Sequence, residues 1–389
     1  MSGDPYFKHL TAALRAAEIC RPCLVLDLDR LNDNIANIKS RLAPGLLVRV
    51  VDKSLPCLPL LAHICDALQS ERIMTFHLPV SADVAIRFPS TELLFGKPMP
   101  VGAARHALTK GALADPGGPG SRIVWLIDTD ERLAAYQALA EELRIDLRFC
   151  FEVDVGLHRG GYRSPDALQH ALQALEKYPR LHCQGIMAYE AHIGHVPGLF
   201  GGPKAAMARA KSLIRQFIAC LAPHQRAILN VGGSSTALLY DSGIGANEVS
   251  MGSAFVLPTD FDVPSLSGLT PAVHIATPIL KVVDAQVPGF DDRSWILQKL
   301  GKFPRRGCFL YGGRWMAKAV HPPGLKPSKQ FWHSTNQQFA GLPDDSDVKP
   351  DDFAFLRPTQ SEFVLQLFGP IAVYSGGRIV DSWPVLPPS

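Results

Sequence analysis

From about residue 22 to residue 260, short β-rich runs alternate with amphipathic segments. That alternation limits the fold more than any single motif. The strand candidates are Cys23–Asp27, Leu47–Val51, Ile73–Phe76, Glu92–Phe95, Ile123–Ile127, Leu147–Val153, Cys183–Ala188, Ala227–Val231 and Val249–Val256. Helical patterns lie between several of them. Glu131 to Leu143 places Leu133, Tyr136, Leu139 and Leu143 on one side, Pro165 to Tyr178 does the same with Leu168, Ala171, Leu172 and Leu175, and a third pattern covers Lys204 to Leu221. Eight or so βα units in succession predict a (β/α)8 TIM-type barrel. A doubly wound open sheet competes with it, but no G-x-G-x-x-G follows the first strand.

After about Gly268 helical periodicity fades. Strand-like runs at Ile279–Val283, Ser294–Gln298, Cys308–Tyr311, Phe353–Phe355, Phe363–Phe368 and Ile371–Tyr374 are separated by Pro- and Gly-rich turns. The expected division is a barrel over 21–267 and a β domain over 268–389, joined by residues 1–20. Pro322–Gly324 and Leu342–Asp352 are expected as exposed loops. No internal repeat or low-complexity tract is present.

A formal charge of +3 on 389 residues, with no basic run, argues against nucleic acid as a partner. The first residues lack the apolar core of a signal peptide, and no apolar stretch is long enough to span a membrane. The eight cysteines are scattered. Cys20 and Cys23 alone have metal-like spacing, with no second pair to complete a zinc site. A reducing cytoplasm is the expected compartment.

Several strand ends carry chemistry. The run Leu46–Val51 ends on Asp52-Lys53 and turns at Ser54-Leu55-Pro56, which puts an amine at the mouth of a strand, where barrel chemistry sits. The alternative is a surface lysine. Asn230-Val231-Gly232-Gly233-Ser234-Ser235-Thr236 follows an apolar strand. Its glycines let backbone N–H groups approach phosphate oxygens, and its hydroxyls add donors; Met251-Gly252-Ser253 closes the next strand in the same way. A plain β-turn would look similar. Glu152-Val153-Asp154-Val155-Gly156-Leu157-His158-Arg159 ends another strand, and Ala188-Tyr189-Glu190-Ala191-His192 the one after it.

Together these motifs resemble the alanine racemase-like (fold type III) pyridoxal-phosphate (PLP) enzymes, in the D-threonine aldolase and D-serine dehydratase branch. Gly376-Gly377-Arg378-Ile379-Val380-Asp381-Ser382-Trp383-Pro384-Val385 is similar to that branch's closing strand pair, so the resemblance runs, in patches, from about residue 20 to 385. It implies a barrel followed by a β domain, with Lys53 carrying the cofactor as a Schiff base and serving as the Cα base. It implies that Arg159 contacts the phenolic oxygen and that Tyr189 lies near the cofactor. Gly232, Gly233, Ser234, Ser235, Gly252 and Ser253 are implied as the phosphate cradle. His192 and His195 follow on the same loop as weaker candidates. Ser250 stands where that branch has a glutamine, which leaves the ring-nitrogen partner open.

The sequence departs from the branch at its metal site. Gln360 occupies the place of a histidine ligand and Glu362 that of the second ligand, in Arg357-Pro358-Thr359-Gln360-Ser361-Glu362. An amide and one carboxylate make a poor zinc site but suit Mg2+ or Mn2+, or a metal-free hydrogen-bonding role toward the substrate. Lys281, Arg314, Lys318, His321 and Arg357 cluster in the β domain; Arg314 or Arg357 is a candidate for a substrate carboxylate, and a solvated basic surface is the alternative. The expected activity is a PLP-dependent lyase on D-configured β-hydroxy amino acids, with an altered or absent metal site. The runner-up is an amino-acid racemase or epimerase, and a non-catalytic PLP-binding protein ranks behind both. A small amino-acid substrate and a homodimer follow from the resemblance.

Overall fold

The computed structural model describes residues 4–387 except 112, 115–117, 291–292, 329–330 and 332–335. The first strand, β1 (Cys23–Asp27), belongs to a separate, mostly antiparallel sheet. The next eight close a parallel barrel: β2 (Leu47–Val51), β3 (Arg72–Thr75), β4 (Glu92–Phe95), β5 (Ile123–Ile127), β6 (Leu147–Val153), β7 (Leu181–Ala188), β8 (Ile228–Val231) and β9 (Glu248–Met251). The barrel closes where β9 pairs with β2, Val48 opposite Val249 and Val50 opposite Met251. The (β/α)8 expectation is met.

The outer helices follow the expected periodicity. Asp130–Leu143 starts on Thr129, whose hydroxyl accepts from the Arg132 N–H, and buries Leu133, Tyr136 and Leu139. Pro165–Ala174 is capped in the same way by Ser164, and Gly202–Cys220 forms the long helix before β8. The run expected as a strand over Val249–Val256 ends at Met251. Gly252 breaks it, and Ser253–Val256 is a helical turn.

The barrel interior is polar at one level. Arg49, fully buried on β2, donates from Nε to Glu248 Oε1 (2.6 Å) and from one terminal nitrogen to Glu248 Oε2 and Glu92 Oε1 (2.9 Å each). Its other nitrogen reaches the carbonyls of Ile73 and Glu92. Arg72 and Arg148 add cations to Glu248 and Glu92. Asn230 joins Glu248 (2.8 Å) to Ser250 (2.9 Å). A buried charge is tolerable only when so fully paired.

The compact units divide at Asn34 and Ile35. One comprises Ile35–Ala254 with Val263–Gly268; the other comprises residues up to Asn34, Phe255–Asp262 and Leu269–Val385. β1, placed by sequence inside the barrel segment 21–267, pairs instead with β10 (Val273–Asp284) and, in parallel, with β16 (Ile371–Ser375). All five of its residues are buried, so its burial pattern is that of a strand covered on both faces, as in the barrel, and its sequence does not distinguish the two. The sheet continues through β11 (Arg306–Tyr311), β12 (Ala317–His321), β13 (Lys326–Pro327), β14 (Gln337–Leu342), β15 (Phe353–Pro358) and β17 (Arg378–Trp383). The N-terminal helix Pro5–Ala16 buries Phe7, Leu10 and Leu14 against Val25, Phe353 and Phe355.

Two runs expected as strands in this unit are helical. Ser294–Lys299 turns Leu297 toward a cluster with Val287 and Phe303 while Trp295 and Ile296 stay exposed; such one-sided burial is helical, not alternating. Glu362–Leu365 likewise buries Val364 and Leu365 and exposes Phe363. Within the expected loop 342–352, Leu342 ends β14 and Val348 is buried in a core with Ile279 and Leu310. Among the described residues no helix is long and apolar enough to cross a membrane.

Candidate active site

Lys53, Tyr189 and the two glycine turns follow directly on the C-terminal ends of β2, β7, β8 and β9. Lys53 sits in the single turn Asp52–Ser54 directly after β2, its Nζ 4.7 Å from the centre of the Phe76 ring at the end of β3. Gly96, after β4, gives that ring room; a Cβ there would lie 2.2 Å from it. The neighbouring Asp52 is buried, and burial pushes its carboxyl up to about 7, against hydrogen bonds from Thr75 and the Lys53 N–H and the charge of Lys53.

The two glycine turns form one structure. The Ser234 hydroxyl accepts from the N–H of Gly252 and of Ala254, at 3.2 Å each, and so ties the turn after β8 to the turn after β9. Gly252 meets the lysine turn so closely that a Cβ would lie 2.7 Å from Ser54 Cβ and 3.0 Å from the Val51 carbonyl oxygen. Gly232 has a φ of +81°, a left-handed value that favours glycine. Gly233 lies under Tyr189, where a Cβ would come within 2.5 Å of the ring. From the other side, the Ser265 hydroxyl donates to the Ser235 carbonyl at 2.6 Å.

The loop after β6 is pinned by Asp154. Its carboxylate accepts from the N–H groups of Gly156 (2.9 Å) and His158 (3.0 Å) and contacts His158 Nδ1 (2.9 Å). Burial opposes ionisation of Asp154, but the His158 and Gly156 N–H groups outweigh it and hold the pKa below the usual carboxylate range. His158 takes a φ of +56°, and the loop then carries Arg159 to 5.1 Å from the Tyr189 ring centre. Contacts therefore run from Arg159 through Tyr189 to Gly233 and, by way of Ser234, to Gly252 beside the lysine turn. Ser253 opens the helical turn after Gly252.

Not every candidate joins this group. His192 packs on Gly156, where a Cβ would lie 2.8 Å from Nε2, and lines a cavity of about 410 Å3 with His158, Arg163 and Arg209. His195 is exposed in the turn Ile193–His195. Ser250 is buried and exchanges hydrogen bonds with Asn230. In the antiparallel unit, Gln360 is exposed after β15 and Glu362 begins the short helix. Arg357, a candidate for a substrate carboxylate, is instead held by both Asp262 oxygens (2.6 and 3.1 Å) and the carbonyls of Leu257 and Pro258. His321 stacks on Phe7 at 5.0 Å, and Lys281 lies over Phe309. Among the described residues no three of His, Cys, Asp and Glu gather as a metal site.

The sequence reading passed over two buried carboxyls. Glu190 accepts from the Gly232 N–H and the Thr236 hydroxyl, and Glu152 feels the charge of Arg159. Burial pushes each up to about 7. An acidic residue next to an apolar run was the available signal.

The sequence model of the family described as "Alanine racemase, N-terminal domain" matches residues 26–259. The chain belongs to that family. Membership in the alanine racemase N-terminal domain family supports PLP as the cofactor. The residues fit it: the Gly252 turn packs on the turn that carries the Lys53 amine, and Ser234 ties it to the Gly232–Gly233 turn. The 3-hydroxy-D-aspartate aldolase of Paracoccus denitrificans (strain Pd 1222) is 25% identical over 258 residues, which cover 63% of this chain. The match spans 62% of that curated relative's length. Among solved structures, a D-threonine aldolase from Filomicrobium marinum superposes with a TM-score of 0.73 at 18% identity, over 95% of both chains. A D-threo-3-hydroxyaspartate dehydratase from Delftia sp. HT23 gives 0.70 at 16% identity, over 95% of this chain and 98% of its own. These structural likenesses share the fold of the family.

Proposed function

We propose that this chain is a PLP-dependent lyase acting on D-configured β-hydroxy amino acids. The observation that carries the reading is the Gly252 turn, packed on Ser54 and Val51 beside Lys53 and tied by Ser234 to the Gly232–Ser235 turn. The aldolase and dehydratase relatives supply the substrate class. When bound, PLP supplies an aldehyde that captures an amine and a ring that draws electrons from the bonds at the substrate Cα.

Within the barrel unit, Lys53 would provide the amine that holds PLP, and its Nζ would accept or return a proton at the substrate Cα. Phe76 closes one side of that amine. Ser234, Ser235 and Ser253 would hold the phosphate, and Gly233 lets the Tyr189 ring approach that turn. Arg159 holds its guanidinium beside Tyr189 for the phenolic oxygen. The role implied for Gln360 and Glu362 toward the β-substituent, with Mg2+, Mn2+ or no metal, belongs to the same proposal and rests on sequence alone. So do the homodimer and the cytoplasmic location.

The purified protein is expected to absorb near the visible edge, and Lys53→Ala to abolish that band. Turnover is then assayed with D-threonine, D-serine and D-3-hydroxyaspartate, each with Mg2+, Mn2+, Zn2+ and chelator. No turnover under any condition rejects the lyase reading. Solvent deuterium entering Cα of both enantiomers without cleavage supports a racemase in its place.

A further inference from the structure

Glu190 is fully buried at the end of β7, next to Tyr189. Its Oε2 accepts from the Gly232 N–H at 3.3 Å, and its Oε1 accepts from the Thr236 hydroxyl. The Thr236 oxygen in turn accepts from the Gly233 N–H at 3.0 Å. The first two amides of the glycine turn therefore point back toward a carboxyl, not outward. The turn is left to present its later part, the half-buried Ser234 and Ser235. An acidic group thus stands directly behind a loop proposed to hold a phosphate dianion.

We infer that Glu190 is a positioning residue of this cradle and that protonation of its carboxyl is coupled to phosphate occupancy. The inference rests on the cofactor reading given above. Like charges on the two faces of one turn oppose each other, so a bound phosphate favours the protonated carboxyl, and a protonated carboxyl favours the phosphate. The groups facing Glu190 are the Thr236 hydroxyl, the Gly232 amide and the buried Tyr240, whose ring is 5.7 Å from Lys211 Nζ. Burial raises the Tyr240 phenol and charge on Glu190 raises it further, so Tyr240 stays neutral across the range that matters. Burial places the Glu190 transition at about 7, against the donors from Thr236 and Gly232. Affinity for a phosphate ligand is therefore expected to fall as pH rises above that point, by at most about tenfold per unit for one coupled proton.

The test uses full-length Lys53→Ala protein, which removes covalent capture. Dissociation constants of PLP and of pyridoxal, which lacks the phosphate, are measured from pH 6.5 to 8.5. With Glu190 present, PLP affinity should fall by about fivefold or more from pH 7 to 8.5. Glu190→Gln should hold that fall below about twofold, and pyridoxal should respond to neither. Equal pH dependence with and without the Glu190→Gln substitution overturns the inference and leaves the cofactor reading intact. PLP binding no tighter than pyridoxal overturns both. Thr236→Val removes one donor to the carboxylate and should move the midpoint upward. An unmoved midpoint overturns the inference even if Glu190→Gln does not fold.

Discussion

Replacing Gly252 with alanine tests the site at its tightest point. The added Cβ would lie 2.7 Å from Ser54 Cβ and 3.0 Å from both Val51 Cβ and the Val51 carbonyl oxygen. None of these atoms is the free end of a side chain, so the turn must move as a body and draw Ser253 with it. Overpacking of this kind costs about 1–3 kcal/mol. If the turn withdraws, the strain is relieved and the cradle is lost, so the cost falls on the cofactor. At about 1.4 kcal/mol per decade, PLP affinity should weaken by roughly five- to 150-fold. If the turn holds, the same strain lowers unfolding stability. The assay is a PLP titration of the apoprotein followed by fluorescence, with urea unfolding of the same samples. Gly194→Ala is the control, since a Cβ there meets nothing within 4 Å and its φ is not left-handed. A Gly252→Ala protein that binds PLP and unfolds as the parent does would refute the argument that these two turns are packed to contact.

Arg49→Met should lower unfolding stability by about 3–5 kcal/mol, because it leaves Glu248 and Glu92 without their shared cation; a loss under about 1 kcal/mol in chemical denaturation would show that Arg72 and Arg148 suffice. Ser234→Ala removes the acceptor shared by the Gly252 and Ala254 N–H groups and should cost about 1–3 kcal/mol, read as weaker PLP binding or lower stability; Ser234→Thr should restore part of it. Asp52 carries a folded pKa raised to about 7 from 3.8, so its contribution to stability is complete below about pH 4 and is lost as pH rises through 7. Asp52→Asn should therefore flatten the fall in unfolding free energy between pH 5 and 8, by about 3 kcal/mol at most; an unchanged profile would place the loss elsewhere.

The barrel was legible because eight strand–helix alternations repeat one pattern. The strand-end residues were legible because strand ends point to the mouth by construction. Local spacing was enough to put Lys53, Tyr189 and the glycine turns just beyond strands; the roles given to Lys53, Arg159 and Tyr189 came from the family resemblance. Helix against strand in the antiparallel unit was not legible: Ser294–Lys299 and Glu362–Leu365 are one turn or so long, too short for a period to show. Nor was β1's sheet, since a fully buried strand reads the same in either setting. Glu190 and Arg357 show a further limit. What a carboxylate or guanidinium holds is fixed by residues 42 to 100 positions away, a separation no local reading spans.

The placement of β1 has a consequence for synthesis. Cys23 to Leu26 lie opposite Val273 to Ala276, and Val25 to Asp27 lie beside Ala372 to Tyr374. The strand made first therefore waits for partners that leave the ribosome some 250 and 350 residues later. In the interval the whole length of barrel sequence emerges, while an apolar strand with two open edges stays unsatisfied. A chain stalled or cleaved before residue 273 would keep that strand without either partner, so truncated products should aggregate through their N-terminal end, and chaperone demand during translation should peak before the last strands appear.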